Sequence, residues 1–325
     1  MKIKFGFCLL LPMFCHAVSF QFTFGEGFDD TTPTAAVGGN TGTTLGEQRA
    51  ILFQSAANIW AKEIISDVTI AVDASFSSDL FCDENSAVLG SAGPLGMVNS
   101  ADLNIPNSVA DTYYPLSLAN AMTGVDNFPT VVDIVAKFNS KVDTDSNCLT
   151  GESFYYGIDD QAVPDGKIPL FSTVLHELAH GLGFFSAIET TDPDGSYVSN
   201  LGQQSVFDVF LYDTQANLAW FEMNNTQRLN SMTNNPFLVW SGANVDKHAA
   251  SYITSGFNSG FIRSHAPSSV ESGSSISHFS IDSEPDILME PILENIKHDQ
   301  VDVTPFLFED LGYKINLIHE NGFDY

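Results

Sequence analysis

Positive charge is what this chain has least of: Lys and Arg number 12 against 40 Asp and Glu, a formal net charge of −28. A surface this negative repels phosphate backbones and anionic headgroups. No Lys/Arg-rich stretch offers a local exception, so nucleic acid is excluded as a partner. Charged residues are only 16% of the chain and hydrophobic ones 44%, which excludes a disordered polymer. Internal repeats and low-complexity tracts are absent. No segment has the unbroken apolar length of a membrane span. Cysteine is also scarce, with 4 in 325 residues. What is abundant is Phe, with 26 copies, enough for a well-filled interior.

The first residues read as a secretory signal. Lys2 and Lys4 precede a short apolar run from Phe5 to Phe14, and small residues follow at Ala17 and Ser19. Cleavage is placed after Ser19, with Ala17 as the other candidate. Residues 1–19 are therefore the expected signal and 20–325 a single domain, destined for the periplasm or the medium and expected to act as a monomer. Removal of the leader takes Cys8 and Cys15 with it. Cys82 and Cys148 remain, and two cysteines in an exported chain are expected to form one disulfide. A thiolate metal site is the weaker reading, since neither residue lies in a C-x-x-C pair or near a histidine.

Thr44 and Glu47 have capping-box spacing and predict a helix from there to about Ile65. Val68 to Phe76 alternates as a strand does, and Val131 to Phe138, Phe154 to Ile158, Phe207 to Tyr212 and Phe237 to Trp240 read as further strands. Gly, Pro, Asn and Ser interrupt residues 90–130, predicting loops and short elements. Residues 264–277 are rich in Ser, Gly and Pro and predict a loop. Thr304 to Leu311 predicts a closing helix that ends at Gly312.

Between Pro169 and Gly183, Leu170, Val174, Leu178 and Leu182 recur every fourth residue and form one apolar stripe of a helix. His176 and His180 fall on the other side, and Gly181 and Gly183 are expected to end the helix. His176-Glu177-Leu178-Ala179-His180 is an H-E-x-x-H motif. Four residues is just over one helical turn, so both imidazoles can reach one ion. Imidazole suits Zn²⁺, which needs three protein ligands and an open position to be catalytic. Glu177 then stands where it can act as general base on a water that the ion activates.

Two histidines leave a third ligand to find. The metzincin continuation H-E-x-x-H-x-x-G-x-x-H finds its glycine at Gly183 but Ser186 at the last position. The ligand must lie downstream, where His248, His265, His278, His298 and His319 are available. His278, in a polar loop just before a short hydrophobic turn, is the first choice and His265 the second. A glutamate ligand, Glu189 or Glu222, lacks a convincing E-x-x-x-D helix. Acidic turns at Asp192-Pro193-Asp194-Gly195 and Asp159-Asp160 suit Ca²⁺ only weakly, since neither matches an EF-hand loop.

Several stretches together resemble one family, the leishmanolysin-like metzincins, and within it a group of secreted bacterial zinc proteases. The stretches are HELAHGLGF at His176 to Phe184, Ser277-His278-Phe279, and Leu288-Met289-Glu290-Pro291. Residues 37–49 and 238–245 resemble the bacterial group too, so the likeness extends over nearly the whole mature chain. The resemblance implies His278 as third ligand and Met289 as the Met-turn residue beneath the metal. It also implies an α+β fold in two lobes. A mixed twisted sheet and the zinc-binding helix would form the upper lobe, about 20–183, and an irregular lower lobe, about 184–325, would carry the Met-turn. The implied activity is endopeptidase cleavage of protein or peptide substrates. An exported zinc-binding or adhesive protein without turnover is the first rival, and a zinc hydrolase of a non-peptide amide or ester the second.

Overall fold

The computed structural model describes residues 16–292 and 300–316 of the chain. Most of the predicted signal segment, and with it Cys8, Cys15, His298 and His319, lies outside these residues. The fold is a mixed α+β arrangement with several small sheets. Among the described residues no helix is long and apolar enough to cross a membrane.

The first helix, Leu45–Glu63, starts where the capping box predicts. Thr44 accepts from the Glu47 N–H, and Glu47 Oε2 accepts from the Thr44 N–H, each at 3.2 Å. Its inner face, including Leu52, Phe53, Ala56 and Trp60, covers a four-stranded sheet. The sheet order is Phe20–Phe24, Ile70–Ser77, Ile134–Asn139, Gly90–Pro94. The first three strands are parallel, and Gly90–Pro94 runs antiparallel along the edge. Alternation decides the buried face: Ile70, Val72, Ala74 and Phe76 point inward, as do Ile134, Ala136 and Phe138. The segment on either side of the expected cleavage point belongs to this core. Val18 is buried and its N–H donates to Ile64 O at 2.9 Å, while Ser19 O accepts from the Ile70 N–H at 2.8 Å. A chain beginning at Val18 keeps both residues, and one beginning at Phe20 has neither.

The second long helix, Leu170–Leu182, departs from expectation in being buried on every side, the polar side included. The first helix packs against it, and the Trp60 indole N–H donates to Leu175 O at 3.0 Å. Gly181 does not end this helix. It lies inside it, and a Cβ there would stand 2.4 Å from the Ile134 side chain, so glycine lets the helix approach the sheet. Gly183 does terminate it, at φ +125°.

Beyond the helix the predicted strand 207–212 is a 3-10 turn, Asp208–Phe210, followed by a short strand, Leu211–Asp213. A run of Phe and Val allowed a strand, but Asp208 bends it by accepting from backbone and hydroxyl donors of Ser186, Ala187 and Ser205. Leu211–Asp213 pairs with Leu238–Trp240, and the Trp240 indole donates to Asp310 at 3.0 Å on the closing helix, Thr304–Leu311. Phe308 of that helix packs edge-on against Trp60, and Tyr313 donates to Ser117 at 3.0 Å. The C-terminal part is thereby joined to the first helix. Residues 90–130 contain, besides short strands, an eight-residue helix, Leu116–Thr123, that the interrupted composition concealed.

Cys82 and Cys148 form a disulfide across a separation of 66 residues. The enclosed loop carries two strands of the main sheet, the edge strand among them. Closing a loop of this length stabilises by about 4 kcal/mol in the chain-entropy account. Cys82→Ser with Cys148→Ser is therefore expected to lower the urea unfolding free energy by about that amount.

Candidate metal centre

Three histidines converge although they are distant in sequence. His176 and His180 project from successive turns of the buried helix, and His278 arrives from the serine-rich loop. The Nε2 atoms stand 3.0 Å apart for His176 and His180, and 3.2 Å from each of these to His278. Each opposite ring nitrogen meets a backbone carbonyl: His176 Nδ1 is 2.7 Å from Leu288 O, His180 Nδ1 2.7 Å from Phe184 O, and His278 Nδ1 2.8 Å from Ser274 O. A carbonyl can only accept, so each Nδ1 carries the proton and each neutral ring turns a lone pair at Nε2 inward. Three lone pairs aimed at one point repel one another unless a cation lies between them. Metal–imidazole bonds of about 2.0–2.1 Å at tetrahedral angles would place the nitrogens about 3.3 Å apart. The histidine spacing and donor set therefore fit a metal ion, and His176, His180 and His278 form a buried group that could hold one.

Electrostatics point the same way. Burial pushes the His180 imidazole down to about 4. His278 is held well below the usual range by burial and by the neighbouring His180 and His176 rings. Protons thus do not compete for the His180 and His278 nitrogens near neutral pH.

Glu177 borders the same space, and its Oε2 accepts from the Ala92 N–H of the edge strand at 2.7 Å. Burial pushes this carboxyl up to about 8, with the Ala92 N–H pulling the other way. A dication beside it would favour the carboxylate. Gly90 makes this approach feasible: a Cβ there would lie 2.9 Å from the Phe138 ring and 3.1 Å from Glu177 Cγ. Gly90→Ala is expected to displace Glu177 and to lower any hydrolytic turnover by about 10–100-fold. Metal content measured on the same sample should be unchanged.

Met289 is fully buried, and its carbonyl accepts from the Phe279 N–H at 2.9 Å. The preceding residue carries the tie to the centre, since Leu288 O holds His176. Leu288 is fixed in turn by its N–H to the Asp302 carboxylate, which also caps the closing helix at Thr304. Neither the three carbonyls nor Asp302 was visible in the motif, because any residue supplies a backbone carbonyl and Asp302 lies far from the helix in sequence.

The remaining candidates lie elsewhere. His265 turns its Nε2 to Glu271 at 3.2 Å, while its N–H donates to His278 O at 2.9 Å. His248 stacks on Phe306 with centroids 4.0 Å apart. Glu189 accepts from the Thr191 N–H and Glu222 from the Ala219 N–H, both local turn bonds. Asp194 closes its own turn on Ser196, and Asp159 accepts from the Gln161 N–H.

The histidines open onto a cleft of about 480 Å³. Gly90 and Ala92 form one wall, Phe185 and Val198 another, and Ser274 and Ser277 a third. Comparison with known proteins found no family model, no curated sequence and no solved structure that matches this chain.

Proposed function

We propose that this chain is an exported zinc-dependent endopeptidase of metzincin type, in which Glu177 is the general base. The observation that carries the reading is the convergence of three inward-facing imidazoles beside a buried carboxylate on the floor of a cleft. A closed structural site would offer a fourth protein ligand. Among the described residues the group consists of three histidines with Glu177 alongside, a combination suited to an open catalytic position. When bound, the ion supplies Lewis-acid polarisation of a substrate carbonyl and activation of water.

The chain's own residues supply the rest. Glu177 Oε2 is held by Ala92, which leaves Oε1 to take a proton from water and return it to the departing amine. The edge strand can align an extended substrate. Leu89 O accepts from Asn139 and the Leu95 N–H donates to Asp133 O, so odd-numbered positions pair inward. The backbone groups of Gly90 and the carbonyl of Ala92 then face the open side. Pro94, at the next open position, has no N–H, and pairing of a substrate strand ends there. The residues before and after the motif helix contribute opposite walls of the cleft, in keeping with a two-lobed arrangement. The leader-like segment and the disulfide support export.

The test is hydrolysis of an unfolded general protein by the purified chain, with zinc content recorded. Activity that a chelator abolishes and added zinc restores supports the reading. A chain that retains zinc and cleaves neither unfolded protein nor a peptide library is a binding protein, and the proposal fails.

A further inference from the structure

A carboxylate outside the motif lies behind both halves of the histidine group. Asp208 is fully buried, and among the described residues no Lys or Arg forms an ion pair with it. A lone buried charge is expensive unless donors surround it. Here Oδ1 accepts from Ser186 Oγ at 2.5 Å. Oδ2 accepts from the Ala187 N–H at 3.0 Å and the Ser205 N–H at 2.8 Å, with Ser205 Oγ also at 2.8 Å. Two of these donors, Ser186 and Ala187, belong to the chain just after the motif helix.

That segment touches one ligand and the residues on either side of another. Phe184 O accepts from His180 Nδ1 at 2.7 Å, and the Ser186 N–H donates to Ser277 Oγ at 3.0 Å, one residue before His278. Phe184 also packs edge-on against Phe279, one residue after His278, with centroids 5.0 Å apart. Ser186 occupies the position six residues after His180, yet its side chain is turned away to Asp208. It links the ligand-bearing segments instead of ligating.

We propose that Asp208 is a positioning residue for the metal centre, acting through Ser186 on His180 and His278; the inference rests on the zinc reading above. The carboxylate sets the path of residues 184–187, and that path sets the aim of Phe184 O at one imidazole and the place of Ser277 beside the other. Outer contacts of this kind change metal affinity by about 10–100-fold when removed.

The experiment measures the zinc dissociation constant of the full mature chain by competition with a chromogenic chelator, alongside the melting temperature of the metal-free protein. Asp208→Asn and Ser186→Ala are each expected to weaken zinc about 10–100-fold. Ser186→Thr, which restores the hydroxyl, should recover most of the loss. Should Asp208→Asn fail to fold, the Ser186 pair alone carries the test, since it removes and returns one oxygen. A carboxylate with a merely structural role would lower the metal-free melting temperature and leave zinc affinity within about twofold, which overturns the proposal. Wild type that binds no zinc overturns the zinc reading itself, a result distinguishable from variants that merely match the wild type.

Discussion

Glu177→Gln is expected to keep its metal and lose its turnover. The substitution preserves shape, and the amide oxygen can still accept from the Ala92 N–H that now holds Oε2. What disappears is a group that can take a proton. General base catalysis is worth about 10²–10⁴-fold, so kcat should fall by that factor, roughly 3–5 kcal/mol of barrier. KM should change little, because the walls of the cleft are untouched. The check is kcat and KM on an unfolded protein substrate, normalised to zinc per chain. Full activity in the variant would remove Glu177 from the mechanism. Lost zinc would make the residue part of the metal's support instead.

His278→Ala should act on the other half of the site. With the ring gone, only the two imidazoles of the motif helix remain, and they come from one side. Loss of an outer contact alone costs about 10–100-fold in affinity, so loss of a ligand is expected to exceed about 100-fold. Stability offers a second measure. A ligand held at 1,000 times its dissociation constant stabilises the native state by about 4.1 kcal/mol. Wild type should therefore show a clear zinc-dependent rise in melting temperature, and the variant, at a loss of about 100-fold or more, at most about a third of it. The metal-free proteins should melt closer together, since deleting His278 removes packing but also relieves three buried lone pairs that face one another. His265→Ala is the control: its side chain pairs with Glu271, and its contact to His278 is made by backbone that alanine retains. Equal zinc affinity in His278→Ala and wild type would remove His278 from the ligand set.

The two residue pairs closest in sequence were the most legible. Thr44 with Glu47, and His176 with His180, interact across one helical turn, and the geometry of a helix turns spacing directly into distance. The Ile70–Ser77 and Ile134–Asn139 strands could be read to within a few residues for a similar reason: alternation records which face is buried. The pairing of Cys82 with Cys148 followed from having only two cysteines left once the leader was set aside. The role of Gly181 was misread and that of Asp208 had no signature, because both depend on what approaches them. A glycine near a helix end signals termination, whereas here it admits Ile134. An aspartate in an apolar run signals little until four donors gather around it.

By itself, the sequence determined the helix that presents His176, Glu177 and His180, the capped start of the first helix and the alternation that builds the sheet. These depend on periodicities of a few residues. Only the tertiary structure decided that His278 rather than His265 meets the pair, that Ala92 holds Glu177, and that carbonyls of Phe184, Ser274 and Leu288 set the ring orientations. Those contacts join residues up to 112 positions apart, and several use backbone atoms that every residue possesses. Local pattern cannot encode them. They are selected by how the helix, the edge strand and the serine-rich loop pack together.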